Sequence, residues 1–204
     1  MKKWEELKFV GEAEFNYIVK EYANNDSAHG LDHIRDVVNT AQIICQRMNC
    51  EYNQIIEIAC LTHDMGANVN NRKFHEKVAK DKFFNLFDEI LCLKITDALK
   101  IADCILEHRS SISDEERSSA ESIIVAMADT GLPCFNNKEL LDKLLLRSMK
   151  YHLEKTNSIT LAFEEAKKHL KEKYGRNGYL KYGETYKKVF GDLLEKQYKL
   201  IDQL

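Results

Sequence analysis

The chain has 204 residues, of which 44% are hydrophobic and 31% charged, and its formal net charge is −3. That length suits one domain, with or without a helical extension, and is enough to bury a substantial core. The near-balanced charge excludes a general attraction to nucleic acid or an anionic membrane, so any recognition of phosphate has to be local.

One proline and eight glycines leave long stretches free to be helical. Apolar residues recur at intervals of three and four rather than two, which predicts an all-α protein. The N-terminal stretch "MKKWEELKFVGEAEF" starts with lysines but contains no uninterrupted apolar segment. Neither a secretory signal nor a membrane span is expected there, and the expected location is the cytoplasm. The six cysteines, Cys45, Cys50, Cys60, Cys92, Cys104 and Cys134, are scattered without C-x-x-C spacing. They are expected to be reduced, several of them as core thiols, rather than disulfides or zinc ligands.

In chain order, the first helix predicted spans Leu31 to Met48, with Ile34, Val37, Val38, Ala41, Ile44, Cys45 and Met48 on one buried face and His33 at its edge. A second begins after Asn53 as N-cap and carries Ile55, Ile56, Ile58, Ala59, Cys60 and Leu61 before Gly66 stops it, leaving His63 and Asp64 in its last turn. A third runs from about Arg72 to Phe87, with Phe74, Val78, Phe83 or Phe84, and Phe87 as packing residues and His75 in its first turn. The fourth, "CLKITDALKIADCILEH", buries Ile95, Leu99, Ala102, Ile105 and Leu106 and ends at His108 and Arg109.

The polar stretch "SSISDEERSS" reads as a loop, with Ser113 and Glu116 at capping-box spacing. The helix that follows it, containing "AESIIVAMAD", stops at Asp129, because Thr130, Gly131 and Pro133 do not extend it comfortably. Beyond Asn136 come three amphipathic packing segments, with the Gly/Asn turn "YGRNGYLKYG" as a candidate hinge. The expectation is a single domain over residues 1–204, with a core at about 25–135 and a C-terminal helical extension at about 136–204.

Four polar residues occupy apolar faces or helix ends: His33, His63, Asp64 and Asp129. Singly, a buried histidine is usually a satisfied core residue, and a carboxylate at a helix C-terminus is usually exposed. As a set they are harder to dismiss. An aspartate at the negative end of a helix is disfavoured unless a cation or donor offsets it, and both Asp64 and Asp129 sit in that position. Two imidazoles and two carboxylates make a nitrogen and oxygen donor set suited to iron, manganese, cobalt, nickel or magnesium, and less to thiolate-rich structural zinc. Such an ion acidifies water and binds a phosphate oxygen, which points to phosphoester hydrolysis.

The segments "HGLDHI", "LTHDMG" and "AMAD" resemble, in order and spacing, the H…HD…D signature of the HD superfamily of metal-dependent phosphohydrolases. The match spans roughly residues 25 to 135, and "YHLEK" with "LAFEEAKKHL" is similar to the C-terminal helices of small bacterial members. The resemblance implies an all-helical HD bundle with additional C-terminal helices and a metal held by His33, His63, Asp64 and Asp129. It implies catalysis at His63 and Asp64, on a nucleotide or other small phosphoester.

"FHEKVAKD" and "IADCILEHR" are similar to segments that supply further histidines in some branches. This makes His75 and His108 candidates for a second metal bridged by Asp64, or for phosphate contact. The resemblance thus implies one or two divalent ions. His29, four residues before His33, and Arg109 are candidate substrate-binding residues; Arg35, Arg72 and Lys73 read as surface charges. His152, His169 and the C-terminal tyrosines read as structural.

Two rival readings remain at this level. One is a binuclear-iron HD-type oxygenase, which needs both His75 and His108. The other is a non-catalytic regulatory module that binds metal or nucleotide, with the last helices serving a partner or a homodimer.

Overall fold

Every element of regular structure among the described residues is helical. The structure is a computed structural model that describes residues 3–68, 70–89, 92–133, 138–180 and 182–204. Of the cysteines, Cys134 lies outside these; Cys45, Cys60 and Cys104 are buried free thiols, and Cys50 and Cys92 are exposed free thiols. No described helix is long and apolar enough to cross a membrane.

The chain divides into two compact units, Met1–Gly131 and Leu132–Leu204. The first contains α1 (Glu12–Glu21), α2 (Leu31–Met48), α3 (Gln54–Thr62), α4 (His75–Glu89), α5 (Ile95–Glu107) and α6 (Ala120–Thr130), with single 3-10 turns at Ser27–His29 and Asp114–Glu116. Helix α3 is its axis, packing against α2, α4, α5 and α6. All its residues from Ile56 to Thr62 are buried, as expected of a helix enclosed on every side. It starts where the Asn53 side chain accepts a hydrogen bond from the Ile56 N–H at 3.1 Å. Beyond its end, Gly66 turns the chain at φ 78°, a conformation that favours glycine.

Glu57 is buried within α3, and its carboxylate accepts the backbone N–H groups of Lys8, Phe9 and Val10 at 2.8, 2.7 and 3.1 Å. The N-terminal segment is thereby tied to the helix that carries the His63–Asp64 doublet.

The second unit contains α7 (Lys138–Thr156), α8 (Ile159–Tyr174) and α9 (Glu184–Ile201). Leu141, Leu170, Tyr174, Leu180 and Ile201 form its buried cluster. Of the candidate hinge, Lys181 lies outside the described residues, and Leu180 is part of this cluster.

The structure corrects several expectations. Helix α1 was not foreseen; it buries Phe15 and Ile18. Helix α4 begins at His75, not Arg72, and Phe74 just before it is exposed. In α5 the buried stripe is Ala98, Ile101, Ala102, Cys104 and Ile105, whereas Ile95 and Leu99 are 69% and 53% exposed. Two stripes of helical period fit that segment, and the one carrying alanines is the one that packs. The capping box of Ser113 and Glu116 closes the separate 3-10 turn; α6 starts later, where Ser119 accepts from the Ser122 N–H.

Candidate metal centre

The ends of five helices supply the polar residues singled out in the sequence. His33 is in the first turn of α2, His63 caps the end of α3 and Asp64 follows it, and Asp129 is in the last turn of α6. His75 opens α4, and His108 caps the end of α5. Three of these ends, those of α3, α5 and α6, are C-terminal and carry the negative pole of the helix dipole, which favours a cation there.

Asp64 lies at the middle. Its Oδ2 is 3.4 Å from His33 Nε2 and 3.3 Å from His63 Nε2. Asp129 Oδ1 approaches the same two nitrogens, at 3.1 Å and 3.6 Å. The other Asp64 oxygen, Oδ1, is 3.2 Å from His75 Nε2 and 3.8 Å from His108 Nε2. The six residues therefore form two groups that could each hold an ion, one of His33, His63, Asp64 and Asp129 and one of Asp64, His75 and His108.

Three histidines share one local arrangement. The Nδ1 atoms of His63, His75 and His108 lie 3.0, 3.0 and 2.6 Å from the carbonyls of Cys60, Arg72 and Ile105, each three residues earlier. A carbonyl only accepts, so Nδ1 carries the hydrogen and the inward Nε2 is left to offer a lone pair, the tautomer a metal-binding histidine needs. His63 Nε2 and Asp64 Oδ1 are buried without a hydrogen-bond partner. Nitrogen donors, carboxylate oxygens and buried polar atoms aimed at one another fit a divalent ion of the harder transition-metal type.

Charge is correspondingly displaced. Burial works against ionisation of Asp64 and Asp129, but the histidines around them outweigh it and hold both carboxyls well below their ordinary range. Burial likewise opposes charge on His63, yet Asp64 and Asp129 raise it well above the usual imidazole range. His75 is raised by Asp64 against the effect of its burial. His108, lowered to about 4 by burial and then by the neighbouring His63, is neutral.

Residues not anticipated in the sequence support this arrangement. Asn25 donates to the carbonyls of His29 and Asp64 at 2.8 and 2.7 Å, and the Tyr22 hydroxyl donates to the Leu61 carbonyl at 2.9 Å. Asp26 caps the turn before α2 and holds His29 Nδ1 at 2.6 Å. The spacing of Asp26 and His29 was the one available signal. His29 is thereby set beside the cluster, its ring centroid 5.7 Å from that of His75 and 6.4 Å from that of His33. Arg109 reaches the backbone carbonyls of Arg72 and Lys73, and Glu76. Arg35 instead pairs with Glu6 at 2.6 Å, while Arg72 and Lys73 are exposed.

Comparison with known proteins agrees with this geometry. The HD-domain family model matches residues 30–130. No curated protein matches the sequence. Among solved structures, a protein of Lactobacillus plantarum is similar with a TM-score of 0.59 at 18% identity, covering 95% of this chain and 96% of its own. A protein from an uncultured Thermotogales bacterium, described as a predicted HD superfamily hydrolase, is similar with a TM-score of 0.54 at 16% identity, covering 94% of this chain and 88% of its own. The matched segment, with the order of the polar residues within it, identifies residues 30–130 as an HD domain.

Proposed function

We propose that this protein is a metal-dependent phosphohydrolase with a centre for two divalent ions bridged by Asp64, acting on a nucleotide or another small phosphoester. One observation carries the reading: the two oxygens of Asp64 face separate pairs of histidine nitrogens, His33 and His63 on one side and His75 and His108 on the other. His33, His63, Asp64 and Asp129 would hold the first ion, and Asp64, His75 and His108 the second. Two ions in such a pair acidify water near neutral pH and neutralise the charge of a phosphoryl group.

The chain's own residues set the orientation. The Cys60, Arg72 and Ile105 carbonyls fix three imidazoles in the ligand tautomer. Asp64, whose two oxygens face the two histidine pairs, would be a poor proton acceptor once it holds metal, so its part would be to hold the ions. His29, hydrogen-bonded to Asp26 and set beside His33 and His75, meets the phosphoester and orients it.

A panel of nucleoside mono-, di- and triphosphates and a model diester, assayed with added manganese, nickel, cobalt or iron, tests the proposal. Metal-dependent phosphate release that disappears in His63→Ala and Asp129→Ala supports it. Inactivity across the panel together with tight nucleotide binding would instead support a regulatory module.

A second reading draws on the same observation. With His75 and His108 both brought to Asp64, the ligand set also suits a di-iron centre for oxygen-dependent cleavage. Oxygen consumption by the iron-loaded protein, with no phosphate release from the panel, would favour that chemistry.

A further inference from the structure

Arg109 follows His108 directly, at the end of α5, and its side chain crosses to the segment that opens α4. Nη1 donates to the Lys73 carbonyl at 3.0 Å and Nη2 to the Arg72 carbonyl at 2.7 Å, while Nε lies 3.3 Å from Glu76 Oε2. These three attachment points bracket His75. The Arg72 carbonyl also accepts from His75 Nδ1 at 3.0 Å, so ring and guanidinium share one acceptor, with Nη2 and Nδ1 3.5 Å apart.

Both halves of the cluster rest on helix pairs that pack on each other, α2 on α6 and α4 on α5, but their ligands are held differently. His63 and Asp64 are fully enclosed at the end of the central helix, and His33 and Asp129 lie on α2 and α6, which pack directly on each other. His75 instead follows a long turn from Asp64. That turn is held by side-chain and backbone hydrogen bonds among Gly66, Asn68, Asn71 and Phe74. Added to the packing of α4 on α5, the contacts at this end include those of Arg109 and the 3.0 Å approach of His75 Nε2 to His108 Nε2. Two nitrogens so close need a proton or a cation between them, and a cation there requires both rings to keep this placement.

We infer that Arg109 is a positioning residue: by clamping the Arg72 and Lys73 carbonyls and Glu76 it holds His75 against His108, and so sets the affinity of the second ion without touching ion or substrate. This rests on the two-ion reading above. A planar guanidinium suits the task, because its fork reaches two carbonyls and a carboxylate at once, which a single ammonium does not. Glu76 is buried beside it and offsets the positive charge that would otherwise oppose a nearby cation. Substitution of a group that orients a ligand from behind costs about ten- to a hundredfold in metal affinity.

The experiment is a manganese titration of the metal-free full chain, wild type against Arg109→Ala and Arg109→Lys, with ions per chain read by elemental analysis and spin coupling by electron paramagnetic resonance. The wild type is expected to take two ions and show the coupled signal. Arg109→Ala should keep the first ion at unchanged affinity, bind the second about ten- to a hundredfold more weakly, and regain it when guanidinium ion is added at a non-denaturing concentration. Arg109→Lys should fall between the two, and it carries the test if the alanine variant does not fold.

Unchanged affinity for the second ion in these variants overturns the inference while leaving the two-ion centre intact. Parallel loss of both ions from a folded variant overturns it as well, since the clamp would then not be specific to one half. A wild type that takes only one ion removes the two-ion reading, and the inference with it.

Discussion

His75 and His108 face each other Nε2 to Nε2 at 3.0 Å, with the Nδ1 of each against the backbone carbonyl three residues earlier. Asp64 Oδ1 lies near both nitrogens, at 3.2 and 3.8 Å. The contact makes sense as half of an ion-binding group. Substituting His75 or His108 by alanine should therefore lower the metal content from two ions to one and abolish spin coupling. His63→Ala and Asp129→Ala should remove the first ion, with the helical circular dichroism of each variant retained. Full metal content in both of the latter variants would show that the cluster is not the site.

Metal binding should be steeply dependent on pH. In the metal-free protein His63 and His75 are held above the ordinary imidazole value, so their protons compete with the ion; His108, at about 4, is already neutral. Affinity should fall as pH drops through the raised values of His63 and His75, and binding should release protons. The metal-free fold follows the opposite sign on the alkaline side. Its His63 and His75 ion pairs are fully present below the ordinary histidine value and are lost as pH rises through the raised ones, while the Asp64 and Asp129 contribution is lost as pH falls through their lowered values. Calorimetric titration in two buffers of different ionisation enthalpy measures the proton release directly; a pH-independent affinity would contradict the assignment.

Glu57 offers a test of the scaffold that leaves the cluster chemistry alone. Its carboxylate is the acceptor for three backbone N–H groups of residues 8–10. Hydrogen bonds to a charged acceptor contribute roughly 1.5–3 kcal/mol each, and donors left buried without one carry a penalty. Glu57→Ala should lose about 3 kcal/mol or more, and Glu57→Gln less, because an amide oxygen still accepts. Urea unfolding curves give both numbers, and a loss under about 0.5 kcal/mol, the usual range for a surface change, would mean the N-terminal segment is not anchored there.

Asp26→Ala should separate substrate orientation from metal binding. It removes the acceptor of the 2.6 Å contact to His29 without altering any member of the two ion-binding groups. The expected result is an unchanged metal content and a kcat/KM lower by about tenfold or more, the equivalent of one lost charge-assisted hydrogen bond. If turnover is unaffected, His29 has no part in the reaction.

Much of the site was legible before any coordinates. His33, His63, Asp64 and Asp129 each broke an apolar pattern at a helix end, and it was that misfit, repeated in order along the chain, which singled them out. His75 and His108 were visible only as histidines at the start and finish of helices, since their pairing depends on the turn between Asp64 and α4. Contacts across that turn are not periodic.

Arg109 reads in the sequence as a candidate for substrate binding, and its hold on the Arg72 and Lys73 carbonyls was not legible because backbone partners leave no mark in a sequence. Glu57 was hidden for a related reason: it sits among apolar residues of α3 as an isolated acid, and its partners are backbone N–H groups. Ile95 and Leu99 show the limit of periodicity, because a helix with two apolar stripes does not state which one faces inward.

The placement of the ligands at the ends of five helices has a consequence for the integrity of the fold. Helices α2, α3 and α6 supply one group and the end of α3 with α4 and α5 the other, so two ions joined at Asp64 would together fasten every helix from α2 to α6. Binding free energy at such a junction is folding free energy as well, about 2.7 kcal/mol when free metal is a hundredfold above Kd. Chelation thus removes a clasp along with a cofactor, and resistance to heat and to proteases becomes a readout of metal supply.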